Sequence, residues 1–102
     1  MKLEHYSNQQ LKREVKKIVG NYLDLKKYGI FFFGSRVIGS NVSRSDIDIG
    51  IEGDKPIPIE ILAKIREEIS NLPILYHIDI IDFKAVDKDF YQVAKQKIET
   101  IK

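Results

Sequence analysis

The amino-acid sequence predicts a small α/β (α+β) fold in which helices pack against one sheet. Short apolar segments typical of strands alternate with longer segments whose apolar residues recur every three or four positions, as on one face of a helix. The chain has 102 residues, of which 43% are hydrophobic and 31% charged. This size and balance suffice for one hydrophobic core, and we expect a single domain over residues 1–102.

The composition excludes several classes of protein. The chain contains no cysteine, so disulfides, thiolate zinc sites and thiol nucleophiles are excluded. Its net charge of +2 is too close to balance for a protein that wraps nucleic acid. The longest apolar run, Ile30–Phe33, is far shorter than the ~20 residues that span a bilayer, and no secretory signal is visible at the N-terminus. We therefore expect a cytoplasmic protein with no membrane contact.

The apolar periodicity predicts three helices, which span Ser7–Tyr28, Glu60–Leu72 and a segment from Asp87 or Lys88 to Ile101. Ser7 or Asn8 is expected to cap the first helix, and Gly29 to end it. Gly20 costs this helix about 1 kcal/mol relative to alanine, which need not break it.

Three predicted strands lie between these helices, at Ile30–Phe33, Ile47–Glu52 and Tyr76–Ile81. The phenylalanines of the first are expected in the core rather than on a base-stacking platform. Alternation along the third places Ile78 and Ile80 on one face and His77 and Asp79 on the other. The pattern alone does not decide whether the strands are parallel, antiparallel or mixed.

The polar residues most informative about function lie at the ends of the first two strands. Asp46 and Asp48 are two positions apart, so both carboxylates leave the same face of a strand. Oxygen ligands suit a hard cation such as Mg²⁺. Gly34 and Ser35 follow the first strand, where backbone N–H groups and a hydroxyl can bind phosphate. Taken alone, either motif is more often an exposed strand face or an ordinary turn, but together they point to a phosphate and metal site.

A third acid is available in the last predicted strand, as Asp79 or Asp82. Residues three apart on a strand face opposite sides, so at most one of the two can join Asp46 and Asp48. An aspartate in the middle of a buried strand needs a cation or hydrogen bonds, which favours Asp79. Asp82 lies at the strand end, where capping of a loop explains it. His77 shares the face of Asp79 and is a weaker candidate for the acceptor side of the site.

The segment GSRVIGSNVSRSDIDIGI resembles the signature of the nucleotidyltransferase fold of the DNA polymerase β superfamily. Gly34-Ser35 and Asp46-Ile47-Asp48 keep the spacing of its Gly-Ser and Asp-x-Asp motifs. The residues Arg36, Gly39 and Ser45 resemble the minimal nucleotidyltransferase (MNT) branch in particular. The segment IDIIDF is similar to the strand that carries the third acid of that branch, at Asp79. The resemblance implies a small mixed sheet with helices packed against it.

The same resemblance implies the parts of a site. The catalytic residues and ligands of one or two Mg²⁺ ions would be Asp46, Asp48 and Asp79, and the nucleotide would be bound by Gly34, Ser35, Arg36 and Ser45. The alternative role of Arg36 is an exposed charge, and that of Ser45 is a cap on the turn before Asp46.

The activity implied by the resemblance is transfer of AMP from ATP to a hydroxyl acceptor. The implied acceptor is a tyrosine of a HEPN-type toxin, for which this chain would be the antitoxin. The alternative is an MNT-fold binding module that neutralises or scaffolds its partner by occlusion. An enzyme that modifies antibiotics is less favoured, because the sequence shows no added helical domain for such an acceptor. Direct binding of nucleic acid is not expected, and a homo-oligomer is left open.

Overall fold

The elements of the fold come from a computed structural model that describes residues 6–34, 37 and 46–102. Within these residues the helices are α1 (Asn8–Gly20), α2 (Ile59–Ser70) and α3 (Lys88–Ala94). The strands are β1 (Tyr28–Phe33), β2 (Ile47–Gly53), β3 (Ile78–Asp82) and β4 (Glu99–Thr100).

The four strands form one mixed sheet in the order β3-β2-β1-β4. β1 is antiparallel to both β2 and β4, whereas β2 and β3 are parallel. This architecture confirms the predicted α/β (α+β) class and the mixed sheet that the family resemblance implied. Because β2 and β3 run in the same direction, their first residues lie side by side at one edge of the sheet.

One face of the sheet carries the larger hydrophobic core. Alternate residues of β2 point into it, and Ile47, Ile49 and Ile51 are all fully buried there. Burial of each such side chain contributes about 1.5–3 kcal/mol. The apolar faces of the first two helices supply the opposite wall, with Leu11, Val15, Val19, Ile65 and Ile69. Because side chains alternate between the two faces along a strand, the other residues of β2, among them Asp48, lie on the second face of the sheet.

The second face carries a smaller cluster of Phe31, Phe33 and Phe83, hereafter the phenylalanine cluster. The ring of Phe83 meets those of Phe31 and Phe33 edge to face, with centroids 4.8 and 4.9 Å apart. Phe32 points the other way and is fully buried in the larger core. The prediction that the three consecutive phenylalanines of β1 are core residues is confirmed.

The first helix is shorter than predicted. Ser7 is its N-cap, as expected, and accepts a hydrogen bond from the amide of Gln10. The helix ends at Gly20 rather than at Tyr28, so the extension was wrong. Tyr22 and Leu25 keep a helical spacing, but they pack against the core from a turn. The turn already buries these two side chains, so no further helix is needed to bring them to the core. Gly20, at the end of α1, has a low helix propensity and therefore disfavours extension of the helix.

The last predicted helix was also too long. α3 ends at Ala94, and Glu99 and Thr100 form β4 beside Phe32 and Phe31 of β1. The spacing of Ile98 and Ile101 fits a helix, but the backbone groups on the open edge of β1 also require partners. The flanking hydrogen bonds between Ile101 N and Ile30 O (2.8 Å) and between Ile30 N and Lys102 O (3.1 Å) meet that requirement.

An ion pair fastens the segment after α3 to the sheet. Glu52 accepts a hydrogen bond from the hydroxyl of Tyr91 and another, 2.9 Å long, from Lys95 Nζ. Lys95 Nζ also lies 4.8 Å from the ring centroid of Phe31. Burial by itself would raise the pKa of Glu52, but the bonds from Tyr91 and Lys95 outweigh it and lower that pKa. The ionised carboxylate is therefore the form that stabilises the fold.

We expect the substitution Glu52→Gln to lower the free energy of unfolding at pH 7 by about 1–2 kcal/mol, because it weakens two charge-assisted hydrogen bonds. A lowered pKa stabilises the fold above the unfolded value, 4.5, and the effect is lost as the pH falls through the folded value. Urea unfolding at pH 7 and pH 3 should show a smaller difference at pH 3 than at pH 7. The control Glu67→Gln, at an exposed position of α2, should change stability by less than ~0.5 kcal/mol. An equal loss at both pH values would contradict the assignment.

Candidate active site

The predicted acids lie together where β2 and β3 begin. The parallel register pairs Asp48 with Asp79, and the amide of Ile47 donates to the carbonyl of His77 at 2.9 Å. This bond continues the register one step beyond β3, so His77 lies beside Asp46. The pair Asp46 and Asp48 therefore lies beside the pair His77 and Asp79 of the neighbouring strand. We call Asp46, Asp48, His77 and Asp79 the four-residue cluster.

Three members of the four-residue cluster converge on one point. One ligand atom each from Asp46, His77 and Asp79 lies within 4.8 Å of the other two. His77 Nε2 is 3.0 Å from Asp79 Oδ1. Asp46 and His77 are exposed, and Asp79 is partly so, which leaves the atoms open to solvent. Two carboxylates and an imidazole form a donor set that fits a divalent cation.

Asp48, like Asp79, is only partly exposed. Burial raises the pKa of its carboxyl, and the neighbouring charges of Asp79 and Asp46 raise it further, whereas His77 lowers it. These causes describe a crowded group of carboxylates whose mutual repulsion a cation would relieve. Asp48 does not belong to the converging set of three, so its predicted role as a metal ligand stays a prediction.

Gly34 brings the backbone close to Asp48. β1 ends at Phe33, whose register partner is Asp48, and Gly34 follows with φ at +86°, in the left-handed region that favours glycine. A Cβ atom at this position would lie 2.3 Å from Asp48 Oδ2. Both the backbone angle and the close approach therefore require glycine. The remaining predicted nucleotide-binding residues, Ser35, Arg36 and Ser45, lie outside the described part of the chain.

Asp82, the other candidate for the third acid, is bound elsewhere. It is buried, and its two carboxylate oxygens accept the amides of Ile57 at 2.8 Å and of Lys84 at 3.0 Å. These bonds hold the loops at the far end of β3, as expected of a capping residue. Asp79, in contrast, faces Asp46 and Asp48, so the arrangement favours Asp79 as the third acid.

The structure groups His77 with Asp46 and Asp79, whereas the sequence interpretation gave His77 less weight. It placed this residue on the face of Asp79, but only as a weaker candidate for the acceptor side. The signal was the spacing of two between His77 and Asp79, which copies that of Asp46 and Asp48. Only the parallel register shows that the two pairs lie beside each other.

Comparison with known proteins identifies the family. Residues 13–101 match the family described as polymerase beta, nucleotidyltransferase. The chain belongs to this family. The match covers both Gly34-Ser35 and the Asp46-Ile47-Asp48 motif, so the resemblance noted in the sequence is confirmed.

One curated relative is similar to this chain over part of its length. The chain is 26% identical over 69 residues to the probable protein adenylyltransferase MntA of Haemophilus influenzae, a match that covers 68% of this chain and 60% of that relative. The chain thus corresponds to somewhat less than two thirds of the length of this curated relative.

Solved structures share the fold. One, a tri-AMPylated Shewanella oneidensis HEPN toxin in complex with MNT antitoxin, has a TM-score of 0.68 and 18% identity over 92% of this chain and 71% of the matched chain. A toxin–antitoxin structure with AMP-PNP gives a TM-score of 0.70 and 18% identity, covering 94% and 73% of the two chains. No helix among the described residues is long and apolar enough to cross a bilayer.

We expect Gly34→Ala to weaken the fold and the site together. Forcing alanine into a left-handed conformation costs about 1–2 kcal/mol, and its Cβ would displace the carboxylate of Asp48. Thermal unfolding and calorimetric binding of a divalent cation measure the two effects. Gly29→Ala, within β1, is the matched control, because its Cβ would meet nothing closer than 3.5 Å. Equal behaviour of the two variants would contradict the close approach at Gly34.

We expect Asp48→Asn to raise the melting temperature of the metal-free protein by a few degrees at pH 7, because the amide ends the repulsion among the carboxylates. A raised pKa penalises the fold only where the carboxyl ionises in the unfolded chain, above about 3.8. The advantage of the variant should therefore disappear in melting curves taken below about pH 4.

The same variant should respond less to a divalent cation than the wild type does. A cation at one hundred times its dissociation constant stabilises a protein by about 2.7 kcal/mol. We expect melting curves with and without Mg²⁺ to show that gain for the wild type and for the exposed control Asp54→Asn, and a smaller gain for Asp48→Asn. An undiminished gain would exclude Asp48 from the cation site.

Proposed function

We propose that this chain is an adenylyltransferase that moves AMP from ATP to a hydroxyl group of a partner protein, and that the partner is a HEPN-type toxin for which the chain acts as antitoxin. The observation that carries the proposal is that Asp46, Asp48 and Asp79 lie together at the starts of β2 and β3, with Asp48 beside Gly34, in a member of the nucleotidyltransferase family.

The similarity to MntA supports AMP as the transferred group, since that relative is described as a probable protein adenylyltransferase. The complex of a tri-AMPylated HEPN toxin with an MNT antitoxin supports the class of partner. The toxin–antitoxin structure with AMP-PNP supports ATP as the donor. We place the reaction in the cytoplasm, as the sequence predicts.

The reaction joins the acceptor oxygen to the α-phosphorus of ATP. A tyrosine hydroxyl attacks, the bond from this phosphorus to the bridging oxygen of pyrophosphate breaks, and the hydroxyl proton leaves. We assign the acceptance of that proton to Asp79, whose side chain is 46% exposed. The tyrosine is then esterified with AMP, and pyrophosphate departs with the electron pair of the broken bond.

The remaining residues hold the nucleotide. We assign the β- and γ-phosphates to the turn that begins at Gly34, with the hydroxyl of Ser35 as a further donor. Arg36 would add positive charge there, and Ser45 would bind the nucleotide or cap the turn before Asp46.

The donor set fits a divalent cation, and Asp46, Asp48 and Asp79 are the carboxylates that would hold one or two Mg²⁺ ions. Such an ion, when bound, would neutralise phosphate charge and so would favour departure of pyrophosphate. The three carboxylates are negatively charged, as is the triphosphate. They can lie beside ATP and the acceptor oxygen only when a cation balances their charge.

Transfer of label from [α-³²P]ATP to a co-purified HEPN partner tests the proposal. The wild-type chain with Mg²⁺ should label the partner, whereas Asp46→Asn with Asp48→Asn should reduce labelling by at least about a thousandfold. The double variant Asp54→Asn with Asp87→Asn is a matched control, because it removes the same charge away from the four-residue cluster.

Labelling that is absent in the wild type, or equal in the variant lacking both acids, would refute the enzyme. Growth rescue separates the alternative function. If the variant without Asp46 and Asp48 still neutralises the toxin in cells, the chain acts by occlusion and its chemistry is dispensable.

A further inference from the structure

We propose that His77 is a metal ligand, and that it makes the cation site of this chain selective for a divalent transition-metal ion over Mg²⁺. The inference deepens the proposed function and rests on it for the location of the cation. It concerns a residue that neither the Gly-Ser nor the Asp-x-Asp motif contains.

The backbone places His77 at the site before any side chain is considered. The hydrogen bond from Ile47 N to His77 O fixes the histidine beside Asp46 on the neighbouring strand. Ile78 packs against the larger core, and so the residues on either side of it, His77 and Asp79, face the other way. His77 is therefore held on the face of the three acids by the register of the sheet.

The side-chain distances suit shared coordination. Two ligand atoms about 2.1 Å from one ion, at right angles, lie about 3.0 Å apart. His77 Nε2 and Asp79 Oδ1 are 3.0 Å apart. Opposite ligands of such an ion lie about 4.2 Å apart, and the donor atoms of Asp46, His77 and Asp79 all lie within 4.8 Å of each other. Small rotations of exposed side chains are enough to close this set around one ion.

A simple hydrogen bond between His77 and Asp79 explains less. Such a bond would orient Asp79 and would not require Asp46, which comes from another strand, to approach the same nitrogen. The His77 side chain is also 67% exposed, where a single hydrogen bond adds little to stability. Convergence of donors from two strands is what an ion requires, and both the ring nitrogen and the carboxylates are open to it.

The chemistry of the ring then sets the preference for the metal. Mg²⁺ is held by oxygen ligands and retains water, whereas imidazole favours first-row transition metals. A neutral imidazole also adds a ligand without adding a fourth negative charge to three crowded carboxylates. We therefore expect a mixed nitrogen and oxygen site for an ion such as Mn²⁺.

Pulsed electron paramagnetic resonance of Mn²⁺ bound to the tag-free, nucleotide-free chain tests the assignment. Coordinated imidazole nitrogen modulates the spin echo, and the chain contains only two histidines. We expect the modulation in the wild type and in the control His5→Asn, and its loss in His77→Asn. Circular dichroism checks that each variant is folded.

Competition between Mn²⁺ and Mg²⁺ gives a second readout. The ratio of their affinities should fall by about tenfold in His77→Asn, mainly through weaker binding of Mn²⁺. His77→Asp, which offers oxygen in place of nitrogen, should move the ratio further toward Mg²⁺. The control His5→Asn should leave the ratio within about twofold of the wild-type value.

Bound Mn²⁺ without nitrogen modulation, modulation that survives in His77→Asn, or no binding of Mn²⁺ would each overturn the inference. These outcomes are independent of AMP transfer, because neither nucleotide nor partner is present. Conversely, a nitrogen signal in a chain that labels no partner would leave His77 as a ligand and refute the proposed enzyme.

Discussion

The parallel pairing of β2 with β3 is the constraint on which the site depends. Antiparallel neighbours would place the start of one strand beside the end of the other, and the acids would lie at opposite edges of the sheet. In the parallel register Asp48 lies beside Asp79, and the same register brings His77 next to Asp46. The helix α2 supplies the crossover that a parallel pair requires, and its buried residues Ile65 and Ile69 hold that crossover on the larger core.

One face of the sheet contributes most of the stability, and the other face carries the candidate active site. Isoleucines of β2 and β3 fill the larger core, so every second position is free to carry a polar group on the other face. Among the described residues, the phenylalanine cluster and the apolar side chains of α3 form the apolar part of that face. At the start of β2, burial and the neighbouring carboxylates of Asp79 and Asp46 raise the pKa of Asp48. The fold can hold this unfavourable arrangement because the opposite face is fully packed.

Sequence reasoning predicted the elements that have a strong local signal. The alternation in β2, the N-cap at Ser7 and the buried phenylalanines of β1 are all confirmed. It missed β4, because two residues on a sheet edge have no periodicity to recognise, and their strand character depends on β1. For the site, spacing and resemblance singled out the acids and Gly34, but the place of His77 follows from pairing between strands distant in sequence. Ser35, Arg36 and Ser45 lie outside the described residues, so their roles stay predictions.

The short strand β4 has a consequence for the dynamics of the chain. It joins Glu99 and Thr100 to Phe32 and Phe31, which come from a distant part of the sequence, through a ladder of only a few hydrogen bonds. Closing the long loop between β1 and β4 costs conformational entropy, and the few hydrogen bonds of β4 offset little of that cost. We therefore expect β4 to join the sheet after β1 and β2 have paired. The same weakness should let β4 open while the rest of the sheet stays intact, and its amide hydrogens should then exchange with solvent earlier than those of β2.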